Sequence, residues 1–321
     1  LLDVLLFANF ISHQTYGWNY NIEIAVDTSM TTPILFAMLH ADGCAVGVYE
    51  FGTVEGCDGP VAVDGAVVTP SFAAEAEAAA DLSVPSVVMA DQIALLGDNV
   101  PPFPMTMETP SVVAYSVVSS GPGFLVMHTD NGGAPGPVLG YAAVADGLNI
   151  NVSIGLGIPG VALTAVMFPM LHVDTCEIGA YEFGTVEGCD GPVVVGDAVL
   201  TFPINVAPSM TFEDQALDTH DDGMTYLHID SALIDAHGWM VIHSSADGAP
   251  GPVLNQYPLL SGNNKDIEIA LDAAAAGAQV FPMLHYDTCE IGVYEFGAVE
   301  GCDAPVFVNE AVVVAPLAIT Q

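Results

Sequence analysis

Six cysteines stand in three pairs, each pair 13 positions apart: Cys44 with Cys57, Cys176 with Cys189, and Cys289 with Cys302. Thiols can bind metal, cycle as redox centres or cross-link a chain, and spacing separates these chemistries. Redox and zinc sites are built on C-x-x-C, a zinc site on two such pairs. Here each repeat holds a single C-x12-C. An even count, with one pair per repeat, fits local disulfides formed in an oxidising compartment. Each bridge would close a 14-residue loop, worth about 3 kcal/mol by loop-closure entropy.

A bridge of this kind holds its Cα atoms about 4.4–6.8 Å apart. It would therefore draw together the carboxylates that flank it: Asp42 with Asp58, Asp174 with Asp190, and Asp287 with Asp303. With no Arg, and Lys265 the only Lys, such pairs can be balanced by backbone N–H groups, His, protonation or a bound cation. The cation that suits carboxylate and carbonyl oxygens is Ca²⁺; the plain alternative is solvated acidic loops. No other cofactor is required.

Histidines recur as well. His40, His172 and His285 end the word "MLH", each with Asp two positions on, and His128 and His243 end "VMH" and "VIH". A transition-metal site is one chemistry for two recurrent histidines per unit. The simpler reading is a half-buried His hydrogen-bonded to a loop, and a blue-copper centre is excluded once the cysteines are bridged. "NVS" at Asn151 is a glycosylation sequon. Nucleophile elbow, HExxH and CxxCH are all absent, so the expectation is that the chain is not an enzyme.

What must position these residues is a repeated unit. The words "YEFG" begin at Tyr49, Tyr181 and Tyr294, and "GAPGPVL" and "DQ" recur only in the later two copies. The expected organisation is a partial unit over 1–72, a linker over 73–83, and full units over 84–206 and 207–321. Within a unit the period is two: "DIEIAL" alternates, and short apolar runs are separated by Gly, Pro, Asn and Asp. Seven or so short strands per unit predict an all-β chain of tandem immunoglobulin-like antiparallel β-sandwiches. Trp239, at a strand start, reads as core.

These words, in this order, resemble a family of secreted surface repeat domains of unknown function from haloarchaea and filamentous green non-sulfur bacteria. The resemblance rests on "DQ", "VIH…GAPGPVL", "MLH.D" and "G.YEFG…DGPV", and the cysteine pair is where this chain departs from it. It implies a β-sandwich outside a cell and no established activity.

Composition narrows the partners. There are 39 acidic residues against one basic, a formal charge of −38, while charged residues make up only 12%. Such a chain cannot neutralise phosphates, which excludes nucleic acid and anionic membrane surfaces. Divalent cations fit. The apolar share is 52%, high for a solitary molecule: either the cores are unusually full or apolar surface is buried against other copies, and the second reading hints at an assembly. The charge-free stretches 109–127 and 148–171 carry too many polar and Pro/Gly interruptions for membrane helices, so membrane insertion is not expected. No basic segment precedes "LLDVLLF", and the start at Leu1 reads as a processed product or fragment.

The function expected from these features is a secreted structural protein, extracellular or at the cell surface. It would be the subunit of a filament, sheath or surface layer formed as a homopolymer. The incomplete first unit invites strand complementation between subunits. The rival reading is an adhesion or ligand-binding module, taking a glycan or acting through calcium.

Overall fold

The computed structural model describes residues 34–36, 38, 40–41, 44, 50–63, 66–67, 71–73, 83–101, 110–220 and 223–320. The chain forms two compact units, Leu1–Asp81 and Leu82–Gln321. Most of the expected partial unit over 1–72, nearly all of the 73–83 linker, and Asp42 lie outside the described residues. In the first unit β1 (Ile34–Phe36) pairs antiparallel with β2 (Ser71–Ala73).

The second unit holds two β-sandwiches. The first runs β3 (Ser86–Val88), β4 (Ser111–Ser119), β5 (Gly123–Asp130), β6 (Pro135–Val144), β7 (Gly147–Gly155), β8 (Val166–Val173) and β9 (Ile204–Asn205). One sheet has the order β3-β4-β7 and the other β6-β5-β8-β9, all antiparallel. The charge-free stretches are thus strands and turns, and among the described residues no helix is long and apolar enough to cross a membrane.

Alternation along the strands builds the core between the sheets. Val112, Ala114 and Val117 of β4 and Val152 and Ile154 of β7 meet Leu125 and Met127 of β5 and Met167 and Leu171 of β8. Each large side chain so buried contributes about 1.5–3 kcal/mol over exposure.

The second sandwich repeats the plan. β10 (Ser209–Thr211) and β11 (Asp218–Thr219) lie along one side of β12 (Thr225–Ile234). Four longer strands follow: β13 (Gly238–Ala246), β14 (Ala249–Leu259), β15 (Gly262–Leu271) and β16 (Gln279–Tyr286). β15 pairs the other side of β12, and the facing sheet has the order β14-β13-β16-β17, with β17 at Leu317–Ala318. In "DIEIAL" Ile267, Ile269 and Leu271 are buried while Glu268 is exposed, the alternation that a half-buried strand requires.

The repeated "DQ" has a mechanical role. The Gln92 side chain donates to the Val113 carbonyl (3.0 Å) and accepts from the Val113 amide (2.8 Å), standing in for a strand neighbour on β4. Gln215 does the same to His228 on β12, at 2.8 and 2.9 Å. The preceding aspartates hold the last strand: Asp91 accepts from the Asn205 amide, and Asp214 from the Ala318 amide.

The two sandwiches are docked rather than strung apart. The segment after Gln92 lies along the second sandwich. Gly97 N–H donates to Asp235 (2.7 Å), Asp98 N–H to the Phe307 carbonyl (2.7 Å), and the Asn99 amide group bonds Pro305 and Phe307. Only glycine fits at 97, because a Cβ there would lie 2.2 Å from the Tyr286 hydroxyl.

Candidate functional site

Strands β8 and β16 carry the "MLH" words, and β geometry sends their side chains to opposite faces. Leu171 and Leu284 enter the core; Met170 and His172, and Met283 and His285, point to the outer face of their sheets. β5 and β13 bring His128 and His243 to the same faces. An outer face would ordinarily be wet, yet Phe124, Val126 and His172 are 2%, 0% and 0% exposed. The cover is the loop that follows β8, 174–192, which returns to pair Pro192 with His172. The loop 287–305 covers the second sandwich in the same way, closing on Pro305 and His285.

Each loop is stapled at its base. Cys44–Cys57, Cys176–Cys189 and Cys289–Cys302 are disulfides with Cα separations of 5.5, 5.8 and 5.8 Å, inside the range expected for such a bridge. No free cysteine remains among the described residues. The carboxylates of Glu50, Glu182 and Glu295 lie within 4.8 Å of the paired sulfurs. Sulfurs bonded to each other offer no thiolate to a metal.

Backbone amides hold the inner aspartates. Asp190 is buried; its carboxylate accepts from the Thr175 amide (2.8 Å), the Glu182 amide (2.6 Å) and the Thr175 hydroxyl (3.4 Å). Asp303 repeats this with Thr288 and Glu295, at 2.7, 2.6 and 3.3 Å. Covering Asp190 opposes its ionisation, but the N–H donors of Thr175 and Glu182 prevail and hold its carboxyl below the usual range. Asp58 accepts from the Glu50 amide (2.5 Å), so the first unit repeats the contact.

Asp174 and Asp287 each accept one amide, from Gly179 and Gly292 at 2.8 Å. Burial raises the Asp287 carboxyl above its ordinary value. The staple therefore brings Asp174 with Asp190, and Asp287 with Asp303, into one loop. The inner member, Asp190 or Asp303, has both oxygens engaged by donors, while Oδ1 of Asp174 and of Asp287 is buried without a hydrogen-bond partner among the described residues.

The histidines are tied to loops through one nitrogen. Nδ1 of His172 donates to the Asp190 carbonyl and Nδ1 of His285 to that of Asp303, both at 2.7 Å; His40 meets Asp58 at 2.6 Å. His128 and His243 reach the Gly136 and Gly251 carbonyls at 2.7 Å. These glycines belong to the repeated "GAPGP", and a Cβ on Gly136 would lie 2.4 Å from the Thr129 hydroxyl. A carbonyl only accepts, so each Nδ1 carries the proton and each Nε2 of the neutral ring is a lone-pair donor. Burial lowers the pKa of His128 and His172 and takes His285 to about 4.

Aromatic rings seal the site. Tyr181 and Phe183 stand edge-on to His172, at centroid distances of 5.6 and 4.8 Å, and Tyr294 and Phe296 to His285, at 5.8 and 4.6 Å. Burial, with the Asp190 charge, pushes the Tyr181 hydroxyl up to about 12. The covering role of "YEFG" went unread in sequence, although its three-fold recurrence beside "MLH" was the available signal. Trp239 is buried, 6% exposed, against Tyr294. Asn151 of the sequon is exposed on β7 with a left-handed φ of 54°, a conformation Asn tolerates well.

No curated protein matches the chain. Residues 104–206 and 208–320 each match a family defined as a domain of unknown function (DUF7282). These two segments span more than half of the sequence; the first takes in β4 to β9 of the first sandwich and the second takes in β10 to β17 of the other. The chain belongs to that family, as a tandem pair of its domains.

Proposed function

We propose that this chain is a secreted structural protein whose domains associate with further copies in a filament, sheath or surface layer outside the cell. The observation that carries the reading is the stapled loop. In both full domains its Asp, Thr and aromatic side chains are committed to holding the loop on its own sheet, an arrangement suited to durability. Three disulfides support an oxidising, extracellular setting, and the sheet orders β3-β4-β7 and β6-β5-β8-β9 support an immunoglobulin-like topology. We assign the chain no catalytic reaction.

Apolar side chains left outward give copies something to bury. Ile150 on β7 is 67% exposed and Leu260, just past β14, 59% exposed, with Tyr115, Tyr141 and Tyr257 also outward. With one Lys against 39 carboxylates, association requires screening or bridging by cations. Sedimentation velocity across a series of salt concentrations tests this: large species that dissociate as salt is withdrawn are expected, and a monomer at every concentration contradicts it.

A further inference from the structure

The outer-face histidines have a second nitrogen that the loop does not use. Nε2 of His128, His172 and His243 is buried without a hydrogen-bond partner among the described residues. In the second sandwich Nε2 of His285 lies 3.2 Å from the thioether sulfur of Met283. Because Nδ1 of His285 donates to the Asp303 carbonyl, Nε2 of the neutral ring carries a lone pair. Two electron-pair donors thus face each other in a dry site. The His243 ring is stacked at a centroid distance of 5.8 Å from that of His285, and the His128 and His172 rings stand at the same 5.8 Å. Met170 and Met283 are both buried, each two residues before the histidine on the same strand face; the close approach of sulfur to nitrogen is the one at Met283.

We propose that each full domain carries a buried soft-metal site, His128–Met170–His172 and His243–Met283–His285, that takes copper(I). The donor set selects the ion. A thioether is a poor partner for Ca²⁺ or Mg²⁺, and with imidazole nitrogens it favours Cu(I). Bonds of about 2.0 Å to each nitrogen need donors roughly 4 Å apart, a spacing open to rings whose centroids are 5.8 Å apart. The support around the ligands is that of metal-bound histidine: each ring donates its other N–H to a backbone carbonyl, which fixes both tautomer and orientation. In the first unit Met38 of the equivalent word is 48% exposed, so among the described residues the first "MLH" assembles no such site, and the expected stoichiometry is two.

The test uses the full chain with its disulfides intact, titrated anaerobically with Cu(I) against a chromophoric Cu(I) chelator. Two equivalents should be withdrawn from the chelator, and X-ray absorption should show a sulfur shell beside nitrogen. Loss of a supporting partner alone costs about 10–100-fold in affinity, so M170L/M283L, which removes a ligand from each site, should weaken binding at least that much. Leu for Met conserves volume and costs under about 1.5 kcal/mol, and the circular dichroism melt of the variant checks its fold. No withdrawal of copper, unchanged binding in the variant, or a wild-type spectrum without sulfur would each overturn the proposal. Equal retention of Zn²⁺ would do so too, by marking a histidine cluster that does not discriminate.

Discussion

The amide of Gly97 donates to the carboxylate of Asp235, 138 residues further along the chain, and the Tyr286 hydroxyl donates to the other oxygen of the same carboxylate at 2.9 Å. Asp235 is fully buried. It joins the entry segment of one sandwich to the turn between β12 and β13 of the next, beside the contacts of Asp98 and Asn99 with Phe307 and Pro305. Asp235→Ala would leave a buried amide and a buried hydroxyl without this acceptor, at about 1–3 kcal/mol. Urea unfolding of the full chain should show that loss. Gly97→Ala should cost a similar amount by forcing a Cβ against Tyr286. Because both variants break one contact, their effects should fall short of additivity in the double variant.

The staples should matter one by one. Replacing Cys176 and Cys189 together by Ala frees a loop whose closure is worth about 3 kcal/mol and loosens the cover over His172. Thermal melts of the paired variants at 176/189 and 289/302 should each fall. Hydrogen exchange at the amides of Thr175 and Glu182, or Thr288 and Glu295, should rise only in the loop that was cut.

Acid should act through the buried histidines. Burial takes the folded-state pKa of His285 from its ordinary 6.5 to about 4. A depressed pKa means that the stability it contributes is complete above about 6.5 and is lost as pH falls toward 4, about 3 kcal/mol over that window. Asp235 runs in the opposite sense. Its carboxyl is raised by burial, with the bonds from Gly97 and Tyr286 offsetting part of that rise, so its contribution is present at low pH and lost as pH rises. Stability measured from pH 7 to 4 should therefore fall in the wild type, and fall more steeply in Asp235→Asn. Proton NMR of the imidazoles should show His285 still neutral at pH 5; a titration near 6.5 would contradict the buried geometry.

The glutamine clamp gives a test at single atoms. In Gln92→Glu the side-chain amide that donates to the Val113 carbonyl becomes a carboxylate oxygen, which repels it. The cost should be about 1–3 kcal/mol at neutral pH. Gln215→Glu should cost the same on β12, and both should recover partly in acid as the carboxyl protonates and regains a donor.

How legible this was in sequence depended on the range of each interaction. The staples could be read because a repeated C-x12-C has few other uses, and β15 because Ile267, Ile269 and Leu271 alternate with polar neighbours. The strand from Gly123 to Asp130 gave no alternation, since the loop carrying Tyr181 buries its second face. For the aspartate pairs, sequence showed only that a counterpart was needed. For Asp190 the folded loop supplies the amides of Thr175 and Glu182, whose aim depends on backbone angles that no motif displays. "DQ" stood out as a repeated word without a role, because its partners Val113 and Asn205 lie 21 and 114 residues away. The Gly97–Asp235 contact left no trace at all.

Electron microscopy of the purified chain at high salt, with calcium and then with a chelator, bears most directly on the central claim. Fibres or ordered sheets that come apart when salt is withdrawn or cations are chelated are the predicted result. Monodisperse single molecules under every one of these conditions would contradict it.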